Sequence, residues 1–110
     1  MTTTSIYIFD GAQLTGSAAT YGTVVSVATK RVIKSASLCN TTGAPVACTV
    51  YLVPSGGTAG ASNTLISAKS IAAGETYNCP ELIGKGLNPL GFVQALGLNV
   101  TFSYTATETV

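Results

Sequence analysis

The sequence predicts an all-β chain, a single antiparallel β-sandwich, Ig-like or jelly-roll-like, of about seven or eight short strands with an N-terminal arm. Three observations carry that expectation. Short strand-forming runs recur along the chain between clusters of Gly, Pro, Asn and Ser, and no stretch repeats its apolar residues with the helical period. Val100, Phe102 and Tyr104 alternate with Thr101, Ser103 and Thr105, the pattern of a strand with one buried and one wetted face. At 110 residues, 46% of them hydrophobic, the chain is long enough for one core and too short for two.

Residues 1–19 read as an arm or first strand and residues 20–110 as the sandwich. In the run 5–9, Ile6 and Ile8 would share one face and Tyr7 and Phe9 the other. Burying such a run takes contacts on both sides, in the domain's own sheet or on a neighbour, so these four are candidate assembly contacts. Asp10-Gly11 is a turn dipeptide, and 13–19 is a loop or weak edge strand. Residues 21–28 are the next expected strand, with Tyr21, Thr23, Val25 and Val27 on one face.

Residues 31–54 form the stretch around which the chain is organised. Runs 32–39 and 46–53 flank the turn formers Asn40, Thr41, Thr42, Gly43, Ala44 and Pro45, which predicts a β-hairpin. A turn centred near Gly43 would set Cys39 opposite Cys48, Ser37 opposite Val50 and Ser35 opposite Leu52. Both faces would be partly apolar, so the hairpin needs a second sheet, a partner chain or both, and Tyr51 is assigned to the face toward a neighbour. Pro54 ends the second strand because it cannot donate to a ladder.

Loop 55–63, with Ser55, Gly56, Gly57, Gly60 and Asn63, has side chains too small to bury much surface and should project and move. It is not a phosphate loop, because no helix-period segment follows it and Lys69 lies too far along. Residues 64–71 are a strand with Leu65, Ser67, Lys69 and Ile71 on one side and Ile66 and Ala68 on the other. A turn at 72–75, an extended piece at 77–80, and a helical turn or irregular connection at 81–87 follow. Asn88-Pro89 starts another turn, 92–96 is a strand, Gly97 breaks it, and 99–106 is the last strand. Phe92 joins the candidate contacts.

Only 8% of the residues are charged, against about 25% in ordinary soluble domains, and the formal net charge is +1. Such a surface, built from Thr, Ser, Asn, Gly and Ala, favours association with protein. Lys30, Arg31 and Lys34 cluster at one strand start and read as a solvated strand end, while Lys69 and Lys85 stand alone. No phosphate-binding patch results, so nucleic acid is not an expected partner. No apolar run approaches the roughly 18 residues of a membrane span, and the first residues lack a secretory pattern, so synthesis and folding in a cytoplasm are expected.

The three cysteines fit reduced, buried thiols, with a Cys39–Cys48 bond across the hairpin as the alternative. Histidine is absent, which rules out Ser-His-Asp and Cys-His nucleophile arrangements. Asp10, Glu75, Glu81 and Glu108 fall in different turns or near the last residue; Glu75 with Glu81 is the one pair of acids worth locating. No enzyme activity, cofactor or metal is expected.

In their order and spacing, Leu38-Cys39-Asn40-Thr41-Thr42-Gly43, Tyr51-Leu52-Val53-Pro54-Ser55-Gly56-Gly57, Ile71-Ala72-Ala73-Gly74-Glu75-Thr76-Tyr77, Glu81-Leu82-Ile83-Gly84 and Phe92-Val93-Gln94-Ala95 resemble a group of small structural proteins of tailed bacteriophages. The resemblance covers about residues 20–105, with Cys39, Cys48 and the bulky Leu90-Gly91-Phe92 departing from the pattern. It implies a β-sandwich virion component made in the host bacterial cytoplasm. The favoured role is a capsid decoration or cement protein, homo-oligomeric, bound to the major capsid protein or other virion proteins. A neck, tail or fibre component using the 55–63 loop on a host receptor is the alternative, and a carbohydrate-binding module is a weaker one, since the chain has no Trp.

Overall fold

The computed structural model describes residues 3–109, with side chains from Ile8 onward. Its central strand is β9 (Val100–Thr109), where the alternation seen in the sequence becomes geometry. Val100, Phe102, Tyr104 and Ala106 face inward and are buried, while the intervening Thr and Ser residues are half-exposed. β9 pairs antiparallel with β1 (Thr3–Gln13) on one side and β3 (Lys30–Asn40) on the other. Two short strands, β6 (Thr76–Tyr77) and β7 (Gly86–Leu87), occupy the far edge of β3. The facing sheet runs β2 (Ala19–Thr20), β8 (Phe92–Leu96), β4 (Val46–Val53), β5 (Thr64–Ile71).

The all-β sandwich expected from the sequence is therefore present. With β6 and β7 counted as one interrupted strand, the orders β1-β9-β3-β6/β7 and β2-β8-β4-β5 are those of a jelly roll, two interleaved four-stranded sheets. Of the two sandwich types expected, this is the one that forms. The core between the sheets centres on Phe9, Tyr21, Phe102 and Tyr104, with Phe9 and Tyr104 ring centroids 5.4 Å apart and Tyr21 edge-on to Phe102 at 6.2 Å. The Tyr104 hydroxyl donates to the Tyr21 carbonyl at 2.9 Å, so the buried phenol is satisfied.

Three local expectations are corrected. The 31–54 hairpin does not form: β3 and β4 lie in different sheets, each with both edges already occupied. The reason is Asn40, fully buried at the end of β3. Its amide donates to the Ala44 and Ile71 carbonyls, both at 2.8 Å, and its Oδ1 accepts from the Thr42 amide and hydroxyl at 2.9 and 2.7 Å. That one side chain folds 41–45 into a crossover and ties it to β5 of the facing sheet. Cys39 and Cys48 consequently lie in different sheets, Cys39 opposite Thr101 and Thr76, and all three cysteines are free thiols.

Residues 21–28 are not a strand. Tyr21 and Val25 are buried, and their amides donate to the Val93 and Gly91 carbonyls at 3.0 and 2.9 Å, but Gly22 and Ala28 take φ of 81° and 64°, which breaks the pleat. In β5 the simple alternation fails at a β-bulge. Ala68, at φ 47°, gives its amide to Thr49 Oγ1 at 3.0 Å, and the extra residue brings Ile66 and Ile71 to the same buried side. A second bulge, at Lys34 in β3, likewise lets Ile33 and Ala36 both point inward.

The connections 14–18, 41–45, 72–75 and 97–99 gather at one end of the sandwich, where Asn40 donates its backbone amide to Glu75 and Leu14 donates to Val100. The connections 21–29, 54–63 and 88–91 gather at the other.

Candidate assembly surface

The residue types that do chemistry are dispersed. The Glu75 carboxylate accepts from the Ala72 amide at 2.9 Å in its turn, and both Glu81 oxygens lie within 2.7 Å of the Tyr77 hydroxyl, so these two acids serve separate local bonds. Lys69 Nζ sits 5.0 Å from the Tyr77 ring centroid, and together Lys69, Tyr77 and Glu81 close one side of the sandwich between β5 and β6. The bond to Glu81 pushes the Tyr77 hydroxyl up to about 12. Burial pushes the thiols of Cys48 and Cys79 up, Cys79 to about 12 with smaller contributions from Glu81 and Cys48, so these thiols behave as inert apolar groups. Among the described residues no group of His, Cys, Asp and Glu could hold a metal ion. No helix of the described residues is long and apolar enough to cross a membrane.

Arg31 corrects the reading of residues 30–34 as a solvated strand end. Lys30 and Lys34 are exposed, but Arg31 faces inward with 2% of its surface accessible. Its Nε and Nη2 donate to Glu108 Oε2 at 2.9 and 2.7 Å, and Nη1 and Nη2 donate to the Thr23 carbonyl and hydroxyl at 2.8 and 3.0 Å. The guanidinium thus plugs the long-loop end of the core and clamps β9 to the 21–29 segment.

The candidate contacts separate onto two faces. Tyr51 and Phe92 share the outer face of the β4–β8 sheet, in register with Gln94 and Val53 respectively, and both are half-buried. Ile8 lies on the outer face of the other sheet, opposite Thr105, with 58% of its surface accessible. Phe9 faces the other way, partly buried against the aromatic core. The side chains of Ile6 and Tyr7 lie outside the described residues. The chain matches no protein-family model and no curated protein sequence.

Around Ile8 the outer face is a field of hydroxyls. Ser35 and Thr105 bond at 2.7 Å, Ser37 and Ser103 at 3.1 Å, and a shallow groove of about 370 Å³ runs along them between Asp10 and Asn78. The 54–63 loop is tied by its own bonds: Asn63 Oδ1 accepts from the Gly60 amide at 3.0 Å, its Nδ2 donates to the Thr58 carbonyl at 2.9 Å, and the Gly57 amide donates to the Pro54 carbonyl at 2.9 Å. Ser55 and Gly56 are exposed at its tip. Thr64 Oγ1, at the start of β5, donates to the Gly60 carbonyl at 2.8 Å, so the loop is closed by its own bonds and tied to that strand.

The four sheet edges differ in how they meet solvent. β2, β6 and β7 are two residues each, and Pro80 follows β6 closely. β5 is interrupted by the Ala68 bulge and carries Lys69. β1 is the longest edge strand, and between its irregularities at Thr4 and at Asp10-Gly11 it keeps a straight run, residues 5–9, with no charge and no Pro. Sequence reasoning missed Arg31 with Glu108, because residues 77 apart give no local signal of pairing.

Proposed function

We propose that this chain is a non-enzymatic structural protein of a bacteriophage virion, a capsid decoration or cement protein that binds and stabilises the assembled head. The observation that carries the reading is the surface: broad faces of hydroxyl and half-buried aromatic side chains, with 8% charge in the whole chain, are cheap to dehydrate against another protein. The ordered run of turn and strand motifs that resembles small phage virion proteins supports the setting. By analogy of fold alone, jelly rolls serve as viral capsid domains. The partners are the major capsid protein or other virion proteins, met through the Tyr51 and Phe92 face and the β1 side, and the protein acts as a homo-oligomer.

The test is binding of the purified chain to heads that lack it, followed by electron microscopy. Density over the head lattice, and head binding weakened at least tenfold by Tyr51→Ala in a variant that still folds, is the expected result. Density confined to the neck or tail would replace this reading with the second one, a neck, tail or fibre component that presents the 54–63 loop to a receptor. The exposed Ser55 and Gly56 at the tip of that loop, held by its own bonds, are what favours the second reading.

A further inference from the structure

We infer that two copies of this chain pair through the β1 edge, residues 5–9 of one running antiparallel to residues 5–9 of the other about a two-fold axis, so that the two β1-β9-β3 sheets become one. This deepens the assembly reading by naming its first partner, and its test needs no virion. Soluble sandwiches blunt their edges with brevity, bulges, charge or Pro, and here every other edge is blunted in one of those ways. Residues 5–9 are the exception, a straight five-residue run in register with residues 104–108 of β9. Alternate residues of that run aim their N–H and C=O groups away from β9, toward the place a further strand would take.

The occupant that fits is a second copy. A copy pairing head to tail would have to offer β2, β5, β6 or β7, and each is too short or too bulged to match five straight residues. Pairing β1 with β1 meets no such mismatch and closes on itself, leaving no edge to propagate a fibre. Charge agrees. With Tyr7 opposite Tyr7 of the copy, strand geometry puts the two Asp10 carboxylates about 20 Å apart. It puts each about 15 Å from the copy's Lys30, which lies in the row of Thr3 and Thr109. The copy's Glu108, in the row of Ser5, comes about 10 Å from Asp10 by the same geometry, but Arg31 neutralises it at 2.7 Å within its own copy, and the two Asp10 carboxylates lie more than two Debye lengths apart at physiological salt.

The experiment follows mass and amide exchange together on the full chain from roughly 1 µM to 1 mM, the range in which a small interface responds to concentration. The expected result is a dimer at the upper concentrations. Alternate amides of residues 5–9 should then exchange at least about tenfold more slowly, those of β5 being unchanged. Ile8→Lys, which places a charge on the exposed neighbour of the edge, should shift the dimer to the monomer, whereas Leu98→Lys, at an equally exposed site at the short-loop end, should not. A monomer at every concentration overturns the inference, as does a dimer whose residues 5–9 exchange as in the monomer. So does an Ile8→Lys variant that dimerises like the parent. A monomer that binds heads through Tyr51 would overturn the pairing while leaving the virion reading standing.

Discussion

Replacing Arg31 with Met keeps the length of the side chain and removes the guanidinium, and with it the four hydrogen bonds to Glu108 and Thr23. If residues 30–34 were a solvated strand end, the change would matter little, because exposed ion pairs contribute about 0–1 kcal/mol. Breaking a buried pair from one side costs about 3–5 kcal/mol, mostly through the charge left behind. Glu108 keeps 20% of its side chain in water and can be partly rehydrated, so the expected loss is about 2–4 kcal/mol. For a domain of this size that lowers the melting temperature by about 8–16 °C. Urea unfolding followed by far-ultraviolet circular dichroism measures it directly, the chain having no Trp to report. The pair Arg31→Met and Glu108→Met together should recover at least about half of the loss, since an apolar pair of similar volume removes the stranded charge. A loss below about 1 kcal/mol for Arg31→Met would refute the plug, and the sandwich would then be closed at that end by apolar packing alone.

Asn40→Ala should cost about 2–4 kcal/mol in the same assay, because it strands the buried Ala44 and Ile71 carbonyls and the Thr42 amide; a cost under about 1 kcal/mol would show that the crossover is fixed elsewhere. A Cβ at Gly97 would fall 2.5 Å from Cys48 Sγ, so Gly97→Ala should destabilise by about 1–3 kcal/mol, and adding Cys48→Ala should cost less than the sum of the two single changes. Iodoacetamide at neutral pH should label the half-exposed Cys39 and spare Cys48 and Cys79 until the chain is unfolded, when mass analysis should count three thiols. The folded Cys79 thiol keeps its proton to about 12 while the unfolded one loses it near 9.0. Stability should therefore be level with respect to this group below pH 9 and fall as pH rises from there toward 12, and Cys79→Ala should flatten that fall. Tyr77, also held up to about 12, adds a decline of the same sign.

What could be read from the sequence was what depends on neighbours in the chain. β9, β8, β4 and β5 were legible as strands because alternation and turn residues are local properties, and the sandwich followed from their number and spacing. The pairing of strands was not legible. Asn40 looked like one more turn residue beside Gly43, yet its amide reaches Ile71 in the other sheet and turns an expected hairpin into a crossover. The bulges at Lys34 and Ala68 were hidden for a related reason. Each inserts one residue and so reverses the inside and outside of everything beyond it, which a strict alternation cannot anticipate. Of the surface, the Tyr51 and Phe92 face is recoverable from parity once their strands are known to be neighbours, whereas the inward packing of Phe9 is not, because either face of the 5–9 run could be the inner one.

Thr3 stands beside Thr109 across the β1–β9 ladder, and this neighbourhood has a mechanical meaning. A pull applied between those two points opens the ladder like a zipper, one rung after another, and meets the resistance of a single rung at a time. A pull between Gln13 at the other end of β1 and the same Thr109 runs along the strands and loads all the rungs at once. The protein is thus soft in one direction and stiff in another. Any role in resisting tension depends on which pair of attachment points carries the load.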